Sequence, residues 1–414
     1  MLFMGNTYIS VKKIQLIPQG DKEEINRVYK YIRDGMYYQN TAYNILISTI
    51  YAAIKRGASE EEIAELYKCG SRKPKKNDPE YSLYDADMFD FPVGLPIAGG
   101  LGHMVKADLR KAKSDGLFKG NTTIPTKRRT APLKVPKKYF TFYHPNQSDQ
   151  EFYDKLHTSE GEIYMKFVNG IIFKLRLGNP YKSKELRTTM ERIFTGEYEC
   201  ADSSICIENK KIMFLLTFKV PKKEIELNKD LIVGVRLGVN ISAACAFYDP
   251  EHPQHIALYS GDRDSGYHVK QSIMAQYQRM QKSLKYTGQN GHGRKKKLQP
   301  LERLKKKERH FIETYYHKVS KDVIDFAVKN HAKNIYMEDL KDFDCDYKLK
   351  RGWSRYLLAQ YITYKADRVG IKVQKVKPIT DPYQETIEFE DNQETRELYY
   401  QDAKKIALSK DLIK

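Results

Sequence analysis

The stretch Leu231-Ile232-Val233-Gly234-Val235-Arg236-Leu237-Gly238-Val239-Asn240, running on into Ile241-Ser242-Ala243-Ala244-Cys245-Ala246-Phe247, limits what this chain can fold into more than any other. It reads as a buried apolar strand, a Gly-containing kink and a second apolar strand running back beside it. Apolar runs of strand length bounded by turn residues belong in a sheet covered on both faces. Covering such a sheet takes helices, so this part of the chain is α/β. Arg236 is the one charged residue in the stretch, and it falls mid-strand.

Upstream the patterns are of two kinds. Residues 7–18 alternate like a strand ended by proline. From Asp21, residues Ile25, Val28, Ile32, Met36, Tyr43, Leu46, Ile47, Ile50 and Ile54 fall at helical spacing, ending at Gly57. Ser59-Glu60-Glu61-Glu62 opens a short helix to about Tyr67, the proline-rich segment 70–96 reads as loop, and Leu101 to Lys113 is helical again. Alternation returns at 138–145, 162–176 and 197–219. These runs predict an antiparallel β-barrel that the N-terminal strand joins, with the helical region inserted between.

Charge narrows the partners. Lys and Arg number 72 against 53 Asp and Glu, a net +19, accompanied by 31 tyrosines. Cations interleaved with aromatics suit phosphate contact and base stacking. Three basic clusters stand out: Lys127, Arg128 and Arg129 (with Lys137 and Lys138 just beyond), then Arg294, Lys295, Lys296 and Lys297 after His292, then Lys305, Lys306 and Lys307. Tyr37, Tyr38, Gln39 and Asn40 are further candidates for nucleic-acid contact, against a stronger competing reading as helix packing. His292, between glycines and basic residues, reads as a phosphate or turn residue, with no second metal ligand near it. No apolar run approaches a membrane span, and the first residues lack the regions of a signal peptide. None of the five cysteines forms a CxxC pair, so neither a disulfide framework nor structural zinc is expected, and a bacterial cytoplasmic, nucleoid-associated setting is.

Downstream, Val269 to Lys333 reads as a helical hairpin broken at Gly288 to Gly293. Asn334 to Leu340 is a strand ending in acids, a helix runs from Trp353 to Gly370, Ile371 to Val376 is a strand, and Leu398 to Leu408 is a terminal helix after the acidic stretch Glu385 to Glu397. This order is that of an RNase H-like domain. Two-metal phosphodiester cleavage there needs about three carboxylates around two divalent ions roughly 4 Å apart. Glu338, at the end of its strand, fills one of those positions.

With these segments in place, the chain resembles the compact type V-F CRISPR effectors and their transposon-encoded relatives, the TnpB RNA-guided nucleases. The resemblance rests on Ile232 to Val239, Asn290-Gly291-His292-Gly293-Arg294, Ile335-Tyr336-Met337-Glu338-Asp339-Leu340 and Tyr364 to Val373. It implies a wedge β-barrel (1–20 and 119–227), an inserted helical recognition domain (21–118), a RuvC-like RNase H domain (228–376 and 398–414), and a degenerate target-nucleic-acid-binding insertion (377–397). The chain departs from the family at its acids. Arg236 stands where the family has Asp, and Tyr399 falls at the third acid position, with Asp402 one helical turn on as the only substitute. The zinc-binding cysteines before the last helix are absent. A guanidinium about 4 Å from a divalent ion opposes it by about 8 kcal/mol at an effective dielectric near 20, and Arg236 is expected to pair with Glu338 instead. The expectation is therefore a nuclease-dead domain with no catalytic metal and no zinc, similar to the TnpB-derived repressors called TldR. Such a protein would need guide RNA, bind double-stranded DNA beside a short flanking motif, and block RNA polymerase. An adaptor recruiting a partner and a still-active nuclease are the alternatives. The type V-F resemblance implies a homodimer, the TnpB resemblance a monomer.

Overall fold

The computed structural model describes residues 7–68, 101–146, 148–182, 184–222, 225–238, 240–251, 255–262, 264–286, 294–339, 355–377, 393–409 and 412–413. The chain divides into two compact units, Met1–Pro221 and Lys222–Lys414.

In the first unit, β1 (Thr7–Pro18) leads into a 34-residue helix, α1 (Lys22–Lys55). Asp21 caps it reciprocally: its carboxylate accepts from the Glu24 amide at 2.8 Å, while the Asp21 amide donates to the Glu24 carboxylate at 3.0 Å. Helices α2 (Glu60–Lys68) and α3 (Leu101–Ser114) follow. Val28, Ile32 and Met36 of α1 enter the core under the sheet, whereas Ala42, Tyr43, Leu46, Ile47 and Ile50 form a separate core with Leu101, Val105 and Leu109 of α3. One helix thus serves two cores. The proline-rich segment 70–96, expected to be loop, lies outside the described residues.

The remaining elements are β2 (Leu133–Val135), β3 (Phe140–Tyr143), α4 (Asp149–Leu156), β4 (Tyr164–Phe167), β5 (Ile172–Arg176), α5 (Glu185–Phe194), β6 (Glu199–Cys200), β7 (Ser203–Glu208) and β8 (Lys211–Pro221). They form an eight-stranded antiparallel sheet of order β2-β7-β8-β1-β5-β4-β3, with β6 also on β8. As expected, the N-terminal strand joins it, pairing Thr7 with Pro221 through Leu16 with Ile212. Of the expected barrel the structure shows a curled sheet, in which no ladder among the described residues joins β2 to β3. The sheet is nonetheless forced to curl. Val135 and Phe140 sit on its opposite edges yet can be at most about 18 Å apart along the chain, whereas six flat strand spacings would separate them by about 29 Å.

In the second unit, β9 (Asn228–Arg236), β10 (Ile241–Tyr248), β11 (Ala257–Asp262), β12 (Ala332–Glu338), β13 (Lys372–Val376) and β14 (Leu412–Ile413) form one mixed sheet of order β11-β10-β9-β12-β13-β14. β9 is central, antiparallel to β10 and parallel to β12. Helices α6 (Val269–Tyr286) and α7 (Arg294–Lys329) are the two arms anticipated between β11 and β12. On one face of the sheet, Val233, Val235 and Leu237 pack with Val319 and Val323 of α7 and with Leu358 and Ile362 of α8 (Arg355–Arg368). The other face takes α9 (Gln393–Leu408), through Ala403 and Tyr400 against Ala246. This helix begins five residues before the expected Leu398, so the end of the acidic stretch is its first turn; 378–392 lie outside the described residues. No described helix is long and apolar enough to cross a membrane.

Candidate functional site

Residues two apart on a strand share a face, so Gly234, Arg236 and Gly238 all point toward α9. The two glycines let that helix approach. A Cβ on Gly234 would lie 2.0 Å from the Ala403 carbonyl oxygen, and one on Gly238 would lie 2.1 Å from the Tyr399 ring. With the helix seated so closely, its residues one turn apart reach the arginine between the glycines.

Arg236 is buried, and so are Glu338, Tyr399 and Asp402 around it. Its Nη1 donates to Glu338 Oε2 at 2.9 Å, and its Nε lies 3.5 Å from Asp402 Oδ2. The Tyr399 ring centroid stands 5.8 Å from the guanidinium carbon, a cation–π distance. Lys405 adds a second cation, its Nζ 3.6 Å from Asp402 Oδ1. Two buried carboxylates therefore face one buried guanidinium, with the exposed Lys405 reaching Asp402 from the surface, and charges buried in this way persist because they are paired. Next to Glu338, Asp339 pairs with Lys375 at 3.1 Å. Sequence reading placed all four central residues and the Arg236–Glu338 pair. It missed Lys405 and the meaning of the flanking glycines, although the period-two spacing of 234, 236 and 238 was there to be read.

The basic candidates separate into three groups. Arg128, Arg129, Lys137, Lys138, Lys305, Lys306 and Lys307 are exposed, with Arg129 over the Tyr37 ring at 5.2 Å and Lys305 over Tyr277 at 5.4 Å. Lys127 is partly withdrawn. Its Nζ lies 3.8 Å from the Tyr43 ring centroid and 3.6 Å from Asp108, and burial lowers its pKa while Asp108 opposes that shift. His292 lies outside the described residues, as do the side chains of Arg294, Lys295, Lys296 and Lys297, which the backbone places at the start of α7.

Tyr37 and Tyr38 are exposed, in edge contact at 5.4 Å. For Gln39 and Asn40 nucleic-acid contact is corrected in favour of the stronger competing reading, helix packing: each is 1% exposed. Gln39 receives the Lys134 amide at 2.8 Å, and Asn40 donates to the Met36 and Ala131 carbonyls at 2.7 and 2.9 Å. Asn44, one turn further and missed in the sequence, holds Lys127 in the same manner, accepting from its amide at 2.7 Å and donating to its carbonyl at 2.8 Å. Their recurrence at intervals of four and five was the available signal: a polar stripe on a helix that ties down an irregular strand from 127 to 134.

No family model matches the chain. It is 29% identical over 292 residues to the CRISPR-associated endodeoxyribonuclease Cas12f1 of Sulfoacidibacillus thermotolerans, covering 68% of this chain and 66% of that protein. A second match, to the protein of the same name from Syntrophomonas palmitatica, is 29% identical over 170 residues and covers 40% of this chain and 33% of that protein. The chain thus spans less than two thirds of the length of these relatives. A cryo-EM structure of a Cas12f1–sgRNA–target DNA complex aligns over 99% of this chain and 100% of that chain, with a TM-score of 0.67 at 17% identity. The fold is the Cas12f fold. The type V-F side of the resemblance thereby rests on the whole course of the chain and on sequence similarity to Cas12f1.

Proposed function

We propose that this protein is an RNA-guided DNA-binding protein that holds its target without cutting it, repressing transcription by blocking RNA polymerase. The observation that carries the reading is the Arg236 guanidinium in contact with both Glu338 and Asp402. Two-metal cleavage takes about three converging carboxylates. Here a fixed cation hydrogen-bonds Glu338 and stands at ion-pair distance from Asp402, so each acid has a cation beside it without a metal. A divalent ion within about 4 Å of that guanidinium would be opposed by about 8 kcal/mol at an effective dielectric near 20. The residues do not fit a metal pair, and no cleavage step is routed through one.

Binding is supported separately. The Cas12f1 structure of the same fold is a complex with sgRNA and target DNA, and exposed Arg128, Arg129, Lys137, Lys138 and Lys305 to Lys307 supply cations for RNA and heteroduplex backbones. Guide RNA is then an obligate component, base pairing reads the target, and the protein reads duplex shape and a short flanking motif. The test begins with the RNA that co-purifies with the protein. A discrete structured RNA with a short variable end is expected, and random RNA sinks the guided reading. The loaded complex should retard matching duplex DNA, leave it intact with magnesium, and silence a promoter carrying the site. A guide-dependent cut overturns the non-cutting assignment. Target-dependent capture of a second protein with promoter activation replaces repressor by adaptor.

A further inference from the structure

A cleft of 410 Å³ in the first unit plays no part in the reading so far. It lies between β3, the end of α5 and β6, and its lining includes Phe142, Phe194 and Tyr198 together with Thr141, Gly196 and Lys137. All three rings are half-buried and each packs on a neighbouring ring, with Arg192 also lying over Tyr198 at 5.3 Å and donating to its hydroxyl. Phe142 meets Phe140 edge-on at 5.7 Å, Phe194 meets Phe152 edge-on at 4.8 Å, and Tyr198 stacks on Phe218 at 5.4 Å. Braced rings offer apolar surface with little side-chain freedom left to lose. Gly196, at φ 80°, turns the chain after α5 and leaves that wall without a side chain.

The charge beside these rings is positive. Lys137 is exposed, and its backbone amide donates to Asp202 at 3.0 Å, which fixes its position. Lys138 follows it, exposed, with its Nζ 5.0 Å from the Tyr139 ring centroid. The one carboxylate in the lining, Glu199, is already met by Lys219 at 3.0 Å. Fixed aromatic faces with lysines alongside are what a base and its phosphate require together: stacking one base on an aromatic side chain strengthens binding roughly five- to hundred-fold. An apolar side chain from a protein partner would use the rings but bring no counter-charge to Lys138, and none to Lys137 beyond the Glu199 carboxylate that Lys219 already shares.

We propose that this cleft takes an unpaired base of single-stranded RNA among Phe142, Phe194 and Tyr198, with its phosphate on Lys137 and Lys138. The proposal rests on the RNA-binding reading above and adds the place where a base is held.

The test uses the full chain without guide and a short oligoribonucleotide carrying 5-iodouridine, which crosslinks to rings it stacks on when irradiated. Peptide mapping is expected to find the crosslink on Phe142, Phe194 or Tyr198. Affinity for the oligonucleotide should fall about tenfold in Tyr198→Leu and in Lys137→Glu. Lys137 is exposed, so its variant keeps the test open should Tyr198→Leu fold poorly. Crosslinks that map only elsewhere, or unchanged affinity in Lys137→Glu, overturn the proposal. Displacement of the RNA by a tryptophan-containing peptide that binds the cleft more tightly also overturns it and assigns the cleft to a protein partner. A discrete co-purified RNA with no crosslink in the cleft defeats this inference alone, whereas random co-purified RNA with a crosslink there defeats only guidance.

Discussion

Arg187 in the first unit is 3% exposed and Arg236 in the second 4%, yet their surroundings answer the charge in different ways. Arg187, on α5, donates to the backbone carbonyls of Leu156 and Gly178. It is a staple between chain segments, neutralised only by dipoles, and burial lowers its pKa. Arg236 faces two full carboxylates from two other elements, β12 and α9. A staple needs only carbonyls. Two acids drawn to one buried point, by contrast, need a cation whatever its kind, and here a side chain provides it.

The widest gap between the two sites should open when each arginine is removed. Arg236→Ala leaves two buried carboxylates without their shared partner and is expected to cost about 3–5 kcal/mol, read from the denaturant midpoint of the second unit. Arg187→Ala strands two carbonyls and should cost about 2–3 kcal/mol. Equal losses would erase the distinction drawn between them. A smaller effect probes how α9 brings Asp402 and Tyr399 to Arg236. Gly238→Ala drives a methyl into the Tyr399 ring, with an expected loss of about 1–2 kcal/mol from overpacking and a changed near-ultraviolet tyrosine signal; an unchanged signal would mean the ring does not rest on that glycine.

The smallest effect at neutral pH concerns a half-buried group of the second unit. The Tyr315 hydroxyl contacts Ser242 at 2.8 Å and donates to the Asp262 carbonyl at 3.1 Å, and burial pushes its pKa up to about 12. The unfolded phenol ionises near pH 10, so its contribution is complete below that pH and is lost as the pH rises toward 12. Thermal melts across that window should show stability falling more steeply in the wild type than in Tyr315→Phe.

Much of this was legible from two sources. Short apolar runs put Arg236 on a strand and Glu338 at a strand end, while the resemblance to the type V-F effectors put Tyr399 at the third acid position and helical spacing put Asp402 one turn on. What escaped depended on distant partners. Helix packing was the stronger reading of Gln39 and Asn40, but the irregular segment near 131–134 that their amides hold lies some ninety residues on. Whether a ladder joins β2 to β3 was not specified either, since alternation gives a face and not which edge strands pair. The start of α9 was missed because its first turn is acidic and polar, a composition suited to a helix N-terminus as well as to a loop.

The 34 residues of α1 have a consequence for how the first unit comes apart. A continuous helix of that length is a rod of about 51 Å, anchored at one end beneath the sheet and at the other among the helices. Neither end can melt without fraying hydrogen bonds that run toward the other. Amide protons near Met36 to Ala42, where the two anchorages meet, should therefore be among the slowest in this unit to exchange with solvent, released only when both halves open together.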